Sequence, residues 1–453
     1  MTDAIVLGAG MVGVSTALAL QERGHNVVLV DRTAPGRETS YGNAGIIQTE
    51  AVEPHAFPRS LREILSVALK RGNDVDWQVR DMPRLAEPLW RYFAHSAPQS
   101  YAQTVATYSK LVLRASEDHA KFIVPAGADE LIVRKGWRIA YRTTAKFEEA
   151  AVRAERLKQL YGVPNTVLGT SDIAAAEPTL RRPLAGAVHW TSPWTCRDPG
   201  ELVSRYASLF ISRGGTFAIG DATSIKQDAT GWRVLSNEGP FSAQSVVIAL
   251  GPWSPSLLEA FGYRIPMVFK RGYHRHFAVE QEPQIATLDV ENGAFIAPMN
   301  KGLRILTGAH MTPLGTAAST RQVLRAEAAA RELFMLQKPV EENPWSGTRP
   351  CMPDMLPVVG PSRHKGLWFN FGHGHQGFTL GPTTATLLAE QFDAQGVDPL
   401  MKPILPSAAL VLTCANPATR IDAHYGASAH TRIWSNAYLA MDGKYIGQIY
   451  SRF

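Results

Sequence analysis

The sequence predicts an α/β protein of two domains, one built on parallel strands and interleaved along the chain with a second, strand-rich domain. Three observations carry this. The first 31 residues alternate strand, glycine turn, helix and strand, and such short connections require parallel strands joined by a right-handed crossover. The 453 residues exceed what one compact core organises. No internal repeat or low-complexity linker separates the strand-like stretches from the helical ones, so the domains share the chain in alternating segments.

The elements follow in order. Residues 4–7 form an apolar strand, 11–23 a helix ended by Gly24, and 26–30 a second strand that ends at Asp31. Residues 35–58 are rich in Gly, Pro, Ser and Asn and read as loop. Leu61, Ile64, Leu65, Ala68 and Leu69 then fall at helical spacing among Arg59, Arg62, Lys70 and Arg71, and more helix follows to about residue 125. Residues 131–142 read as a hairpin, and 145–160 and 199–213 as helices. Strands are expected at 231–235 and 245–250, and 264–310 has strand character throughout. A helix over 320–337, a strand over 367–371, a glycine-rich loop and a helix over 381–393 complete the pattern. Beyond about Pro406 it does not continue, and 404–453 reads as an extension of unknown role.

Composition narrows the function classes. The +6 net charge comes from 46 basic against 40 acidic residues with no basic tail, which suits an anionic cofactor or substrate and gives no nucleic-acid footprint. Cys196, Cys351 and Cys414 are far apart and form no C-x-x-C pair, so neither a zinc site nor a disulfide framework is expected. The apolar run 4–20 is short for a membrane span and is preceded by Asp3 rather than a basic segment, which disfavours an export signal.

The chemistry begins at Gly8-Ala9-Gly10-Met11-Val12-Gly13, a G-x-G-x-x-G turn between strand and helix. Gly8 permits the tight turn, Gly10 lets the backbone approach a diphosphate, and Gly13 lets helix and strand pack closely. The helix start offers unpaired N–H groups and a positive dipole end. Asp31 closes the second strand, where an acid accepts from ribose hydroxyls. These residues indicate a dinucleotide without distinguishing NAD from FAD.

Four further segments decide between them. They are 38–45 (ETSYGNAG), 249–254 (ALGPWS), 348–361 (TRPCMPDMLPVVGP) and 372–382 (GHGHQGFTLGP). With the glycine turn, and in this order, they resemble the D-amino-acid oxidase/dehydrogenase superfamily of FAD-dependent oxidoreductases, most closely its bacterial D-amino-acid dehydrogenase branch. The resemblance runs from residue 1 to about residue 403. It implies a Rossmann-like FAD-binding domain of the glutathione-reductase type, interleaved with an α+β substrate domain on a mostly antiparallel sheet. Residues 1–50, 145–180, 198–258 and 345–403 are expected in the first, and 51–144, 181–197 and 259–344 in the second.

The same resemblance implies non-covalent FAD held by Gly8, Gly10, Met11, Val12, Gly13, Asp31, Arg32, Ser40, Asn43, Ala44, Gly45, Gly251 and Trp253, with Gly374, His375, Gln376, Gly377, Phe378 and Thr379 bordering the flavin. Relatives that link flavin to a cysteine have a longer spacing from it to the following Pro-Asp than Cys351 has here. An H-x-H metal pair at His373 and His375 lacks a third ligand at suitable spacing. Arg349 is implied as the substrate-carboxylate anchor, since a guanidinium fork meets a carboxylate with two hydrogen bonds. Phe295 stands where some relatives carry an assisting tyrosine; Tyr273 or His274 is the candidate replacement. Met311, His310 and Gln376 are expected near the substrate.

The expected reaction is hydride transfer from the Cα of an amino acid, D-configured by preference, to flavin N5, giving an imine and then a keto acid and ammonia. An oxidase of glycine- or sarcosine-type amines that yields peroxide, or the catalytic subunit of a hydroxyproline- or opine-type dehydrogenase, are the rival readings. The acceptor expected is a quinone or other respiratory carrier. The location expected is cytoplasmic, with the basic amphipathic helix near 59–71 as a candidate peripheral contact with the inner face of the membrane.

Overall fold

The computed structural model describes residues 2–393, 398–406 and 412–413. Its nucleotide-side sheet has eight strands in the order Gly239–Ala243, Gly231–Ser236, Thr216–Asp228, Val27–Asp31, Ala4–Leu7, Ser245–Ile248, Leu367–Phe371 and Val358–Pro361. The pairings from Thr216–Asp228 across to Leu367–Phe371 are parallel, and both outer flanks are antiparallel. Ala4–Leu7 and Ser245–Ile248 are nearly pure runs of small and β-branched apolar residues because helices and loops cover both faces of the sheet. Met11–Glu22 lies against Gly377–Phe392; a Cβ at Gly381 would come within 2.8 Å of Met11 Cγ, so glycine permits that close crossing.

A second sheet of ten strands is mostly antiparallel, as expected. Val268–Phe277 is its central strand, flanked by Trp345–Cys351 on one side and by Gly302–Thr307 and Ala309–Met311 on the other. The alternation of side chains along these strands decides which residues face the other domain.

Several expectations are corrected. Residues 131–142 are not a hairpin: Ile132–Val133 pairs with Trp194–Cys196 in a three-stranded sheet, and Trp137–Tyr141 pairs with Gly186–Trp190 and Thr287–Asp289 in the large one. The loop 35–58 contains the strand Ile46–Ile47. The segment 145–180, expected in the nucleotide domain, packs its helix Thr144–Tyr161 and strand Asn165–Gly169 on the ten-stranded sheet. Trp345–Cys351 also joins that sheet. The helical stretch after residue 71 is interrupted by the strand Val75–Trp77 before Met82–His95, Pro98–Leu113 and Ala115–Ile123. The last helix begins at Gly377, four residues before expectation. In the extension, Leu412–Thr413 pairs with Tyr263–Arg264, whereas Cys414 and 415–453 lie outside the described residues.

Candidate active site

A cavity of about 1010 Å³ runs between the two sheets. At its nucleotide end the glycine turn is fixed by sterics. Gly8 has φ +108°, and a Cβ there would sit 2.5 Å from the carbonyl oxygen of Ala249; one on Gly13 would sit 1.7 Å from that of Gly8. Asp31 ties the turn to the second strand, its Oδ2 accepting from Ala9 N–H at 2.5 Å and its Oδ1 from Thr33 N–H at 3.1 Å. Burial pushes the Asp31 pKa up, although those two N–H groups pull it down. Arg32 pairs with Glu38 at 2.7 Å and lies 4.4 Å from the centre of the Trp253 ring, so all three build one cavity end.

The helix that starts at Met11 has no side-chain cap. Met11 N–H donates to Ser40 Oγ at 3.0 Å, and Gly10, Met11 and Val12 line the cavity. The loop carrying Ser40, Asn43 and Ala44 is held from the opposite sheet. Arg304, on Gly302–Thr307, donates through Nη1 to the carbonyls of Tyr41 at 3.2 Å and Asn43 at 2.6 Å, and through Nε to His276 Nε2. Burial lowers its pKa to about 10, which leaves it charged at neutral pH. The sequence reading missed Arg304, since nothing local marks a strand arginine as a clamp on a distant loop.

At the far end three side chains form one rung across three strands. Lys270 is register partner to Arg349 on one side and to Met311 on the other, and all three line the cavity. Arg349 donates to the carbonyls of Gly308 at 3.1 Å and Thr307 at 3.4 Å. Lys270 Nζ donates to Tyr92 Oη at 3.1 Å and sits 4.3 Å from the centre of that ring. Burial opposes the Lys270 charge, but its neighbours Cys351 and Tyr92 outweigh it and its pKa lies above the ordinary lysine value. His55 and His375 stand 5.0 Å apart in the cavity wall. Burial, then the charges of Lys270, Arg153 and Arg349, lowers His55 to about 4; burial, then His55, Arg349 and Lys270, holds His375 well below the ordinary value. Both imidazoles are therefore neutral. Lys270 was not expected; its signal was the register that sets Lys270 and Gly272 on the same face as Arg349.

Most expected residues meet at this cavity: Gly8, Gly10, Met11, Val12, Asp31, Arg32, Ser40, Asn43, Ala44, Gly251, Trp253, Gly374, His375, Gly377 and Phe378, with Arg349, Met311 and Tyr273. Others sit behind its wall. His310 is fully buried on the opposite face, paired with Arg271 in register, and its Nδ1 bonds Tyr273 Oη at 2.8 Å. Tyr273 borders the cavity, yet its hydroxyl is turned to His310 and to Ser319 N–H, so it offers no second grip there. His274 stacks 4.9 Å from Trp345. Gly45 packs against the Cys196 carbonyl, which a Cβ would approach to 2.4 Å, and Gly13 against Gly8. Gln376 donates to Gln48 Oε1 at 2.6 Å and Thr379 to the Ile46 carbonyl at 3.1 Å; both position Gln48, which lines the cavity.

These residues fit an extended dinucleotide. The helix start, where Gly10 supplies no side-chain cap and Ser40 takes only the Met11 N–H, faces the cavity, which suits a diphosphate. The acid Asp31 and the Arg32–Trp253 pair lie at one end, and the volume stands at the upper limit of ordinary small-molecule pockets, about 300–1,000 Å³.

Comparison with known proteins agrees. A family model described as FAD dependent oxidoreductase matches residues 3–391. The chain is 28% identical over 415 residues to a D-amino-acid oxidase of Bradyrhizobium diazoefficiens, spanning 89% of this chain and 97% of that one. It is 28% identical over 414 residues to a D-amino acid dehydrogenase of Chromohalobacter salexigens, spanning 87% and 97%. Its fold matches glycine oxidase from Geobacillus kaustophilus with a TM-score of 0.66 at 23% identity, over 89% of this chain and 97% of that one.

Proposed function

The chain belongs to the DAO family of FAD-dependent oxidoreductases, and on that premise we propose that it oxidises the Cα–N bond of an amino acid, D-configured by preference. The observation that carries this is Arg349: a guanidinium in the cavity wall, held by two carbonyls and ion-paired with no acid among the described residues. Its remaining N–H groups suit a substrate carboxylate. When bound, FAD supplies the acceptor for the hydride that leaves Cα. The imine so formed takes up water and releases a keto acid and ammonia.

The chain's own contribution is placement. Arg349 fixes the carboxylate, the Gly374 to Phe378 segment with its helix start borders the cofactor, and the neutral His55 and His375 add no charge beside the amine. Anaerobic mixing with a panel of D- and L-amino acids tests the reading: bleaching of the flavin by amino acids supports it, and a flavin that no member reduces removes it.

No helix among the described residues is long and apolar enough to cross a membrane. For the acceptor, we favour a membrane quinone over oxygen. The helix Leu61–Ala68 lines the cavity with Ile64 and Val67 while exposing Leu61 (79%), Leu65 and, just beyond it, Leu69. Trp90 is also exposed (68%), and Arg62 and Arg71 flank the stripe. An apolar-faced helix with Arg62 and Arg71 beside its exposed stripe supports peripheral contact with an anionic bilayer. Sedimentation with anionic vesicles, reversed by salt, would bear this out; no binding at low salt, with rapid peroxide formation in air, would favour the oxidase.

A further inference from the structure

Lys270 and Arg349 are two cations directly opposite one another on neighbouring antiparallel strands. Like charges in that position destabilise a sheet. Ordinarily an acid from a third element compensates. Here, among the described residues, Lys270 has the Tyr92 hydroxyl and ring and the Cys351 thiol, whose pKa burial raises, and Arg349 has two backbone carbonyls beside that same thiol. Tyr92 is itself engaged, donating to the His55 carbonyl. The acids of the cavity lie elsewhere: Asp31, Glu38 and Asp221 belong to the nucleotide end, and Asp74, beside Gly293, is influenced by Lys146 and Asp289 rather than by this pair. The nearest imidazoles, His55 and His375, are neutral.

The rung therefore presents two positive charges to the cavity with no carboxylate beside them among the described residues. Cross-strand partners have Cα atoms about 4.5–5.5 Å apart, and a single carboxylate already saturates the fork of Arg349. Lys270 retains ammonium donors beyond the one it gives Tyr92. Met311 continues the rung and closes the third side with an apolar surface.

We propose that the substrate is a short aminodicarboxylate, such as aspartate or glutamate, or an equivalent amine with two acidic groups, whose α-carboxylate is held by Arg349 and whose second carboxylate is held by Lys270. This rests on the amino-acid reading above and narrows it. Lys270 is a specificity-determining residue: it discriminates by the charge at the far end of the substrate, and it penalises cationic side chains.

The test separates binding from turnover. Glutarate and butyrate, which carry no amine, are titrated into the purified holoenzyme and followed by perturbation of the flavin spectrum. Glutarate is expected to bind at least tenfold more tightly. That preference should shrink to less than threefold in Lys270→Met and persist in Lys270→Arg, with flavin content and far-UV circular dichroism confirming that each variant is folded. In parallel, D- and L-forms of aspartate, glutamate, alanine and norvaline are mixed anaerobically with the wild type. Equal binding of glutarate and butyrate, or a preference untouched in Lys270→Met, overturns the inference; either result would mean that both cations share one carboxylate. Should Lys270→Met not fold, loss of the preference in Lys270→Gln supports the proposal and its retention overturns it. A strong glutarate preference with no bleaching by any amino acid would uphold the dianion site and remove the amine-oxidation reading instead.

Discussion

The guanidinium of Arg349 lies directly on Gly272: a Cβ at that position would stand 2.7 Å from Nη2 and 3.0 Å from Cζ. Gly272 does not have a positive φ; it is needed for the space above it. The cavity's arginine, the proposed carboxylate anchor, is thus seated by a missing side chain on the adjoining strand.

Gly272→Ala should push the guanidinium from its seat without touching the nucleotide end. The expected outcome is normal flavin content with KM for the amino acid raised about tenfold or more, which corresponds to about 1.4 kcal/mol. Steady-state kinetics beside the flavin absorbance ratio would check it. An unchanged KM would mean that the anchor tolerates displacement.

Arg349→Lys keeps the charge and loses the planar fork. Removing one partner of a hydrogen-bonded charge pair costs about 2–5 kcal/mol, and lysine restores only part of it. A fall of about 100-fold in kcat/KM with flavin retained is expected. Arg349→Ala should fall further.

Gly13→Ala places a methyl 1.7 Å from the Gly8 carbonyl oxygen, where only backbone could yield. Helix and strand must separate there, so the diphosphate cradle is lost. The variant is expected to purify colourless, and added FAD should not raise its melting temperature as it raises that of the wild type.

Glu50 supplies a pH dependence. Burial raises its pKa to about 7 although Gln48, Trp137 and Thr49 donate to it. A carboxyl whose pKa is raised on folding stabilises the protein below its unfolded value of about 4.5, and that contribution is lost as pH rises through about 7. Stability of the wild type relative to Glu50→Gln should therefore decline between pH 4.5 and 8, by at most about 3 kcal/mol. Paired denaturant titrations at pH 5 and pH 8 would measure it; a flat difference would place Glu50 in a wetter site. Trp137 fluorescence should report the same midpoint, since its indole donates to Glu50 at 3.0 Å.

What could be read from the chain and what could not follows from the range of the interactions. Gly8, Gly10, Gly13 and Asp31 were legible because strand, turn, helix and strand are contiguous and their sterics are local. The place of Arg349 in the cavity wall was legible only by resemblance. Lys270 was not, because its meaning depends on pairing with a strand far along the chain. The same register explains why His310 lies behind the wall, and why Tyr273 borders the cavity with its hydroxyl turned away: one step along a strand turns a side chain to the other face. The segment 145–180 was assigned to the wrong sheet because helical periodicity says which face is buried and not against what. Arg304 is invisible locally, since the loop it clamps lies at the other end of the sequence.

The parallel register of Ala4–Leu7 with Ser245–Ile248 has a consequence for how the protein is made. The first strand leaves the ribosome with its partner still about 240 residues away. At about 5–20 residues per second, synthesis takes roughly 10–50 s to deliver that partner. Throughout that interval an apolar strand and the glycine turn beside it have a free edge, open to pairing with any other nascent chain. The most local motif in the sequence therefore belongs to the least local part of the fold, and yield in a host cell should depend on chaperone supply and growth temperature more than on the stability of the finished enzyme.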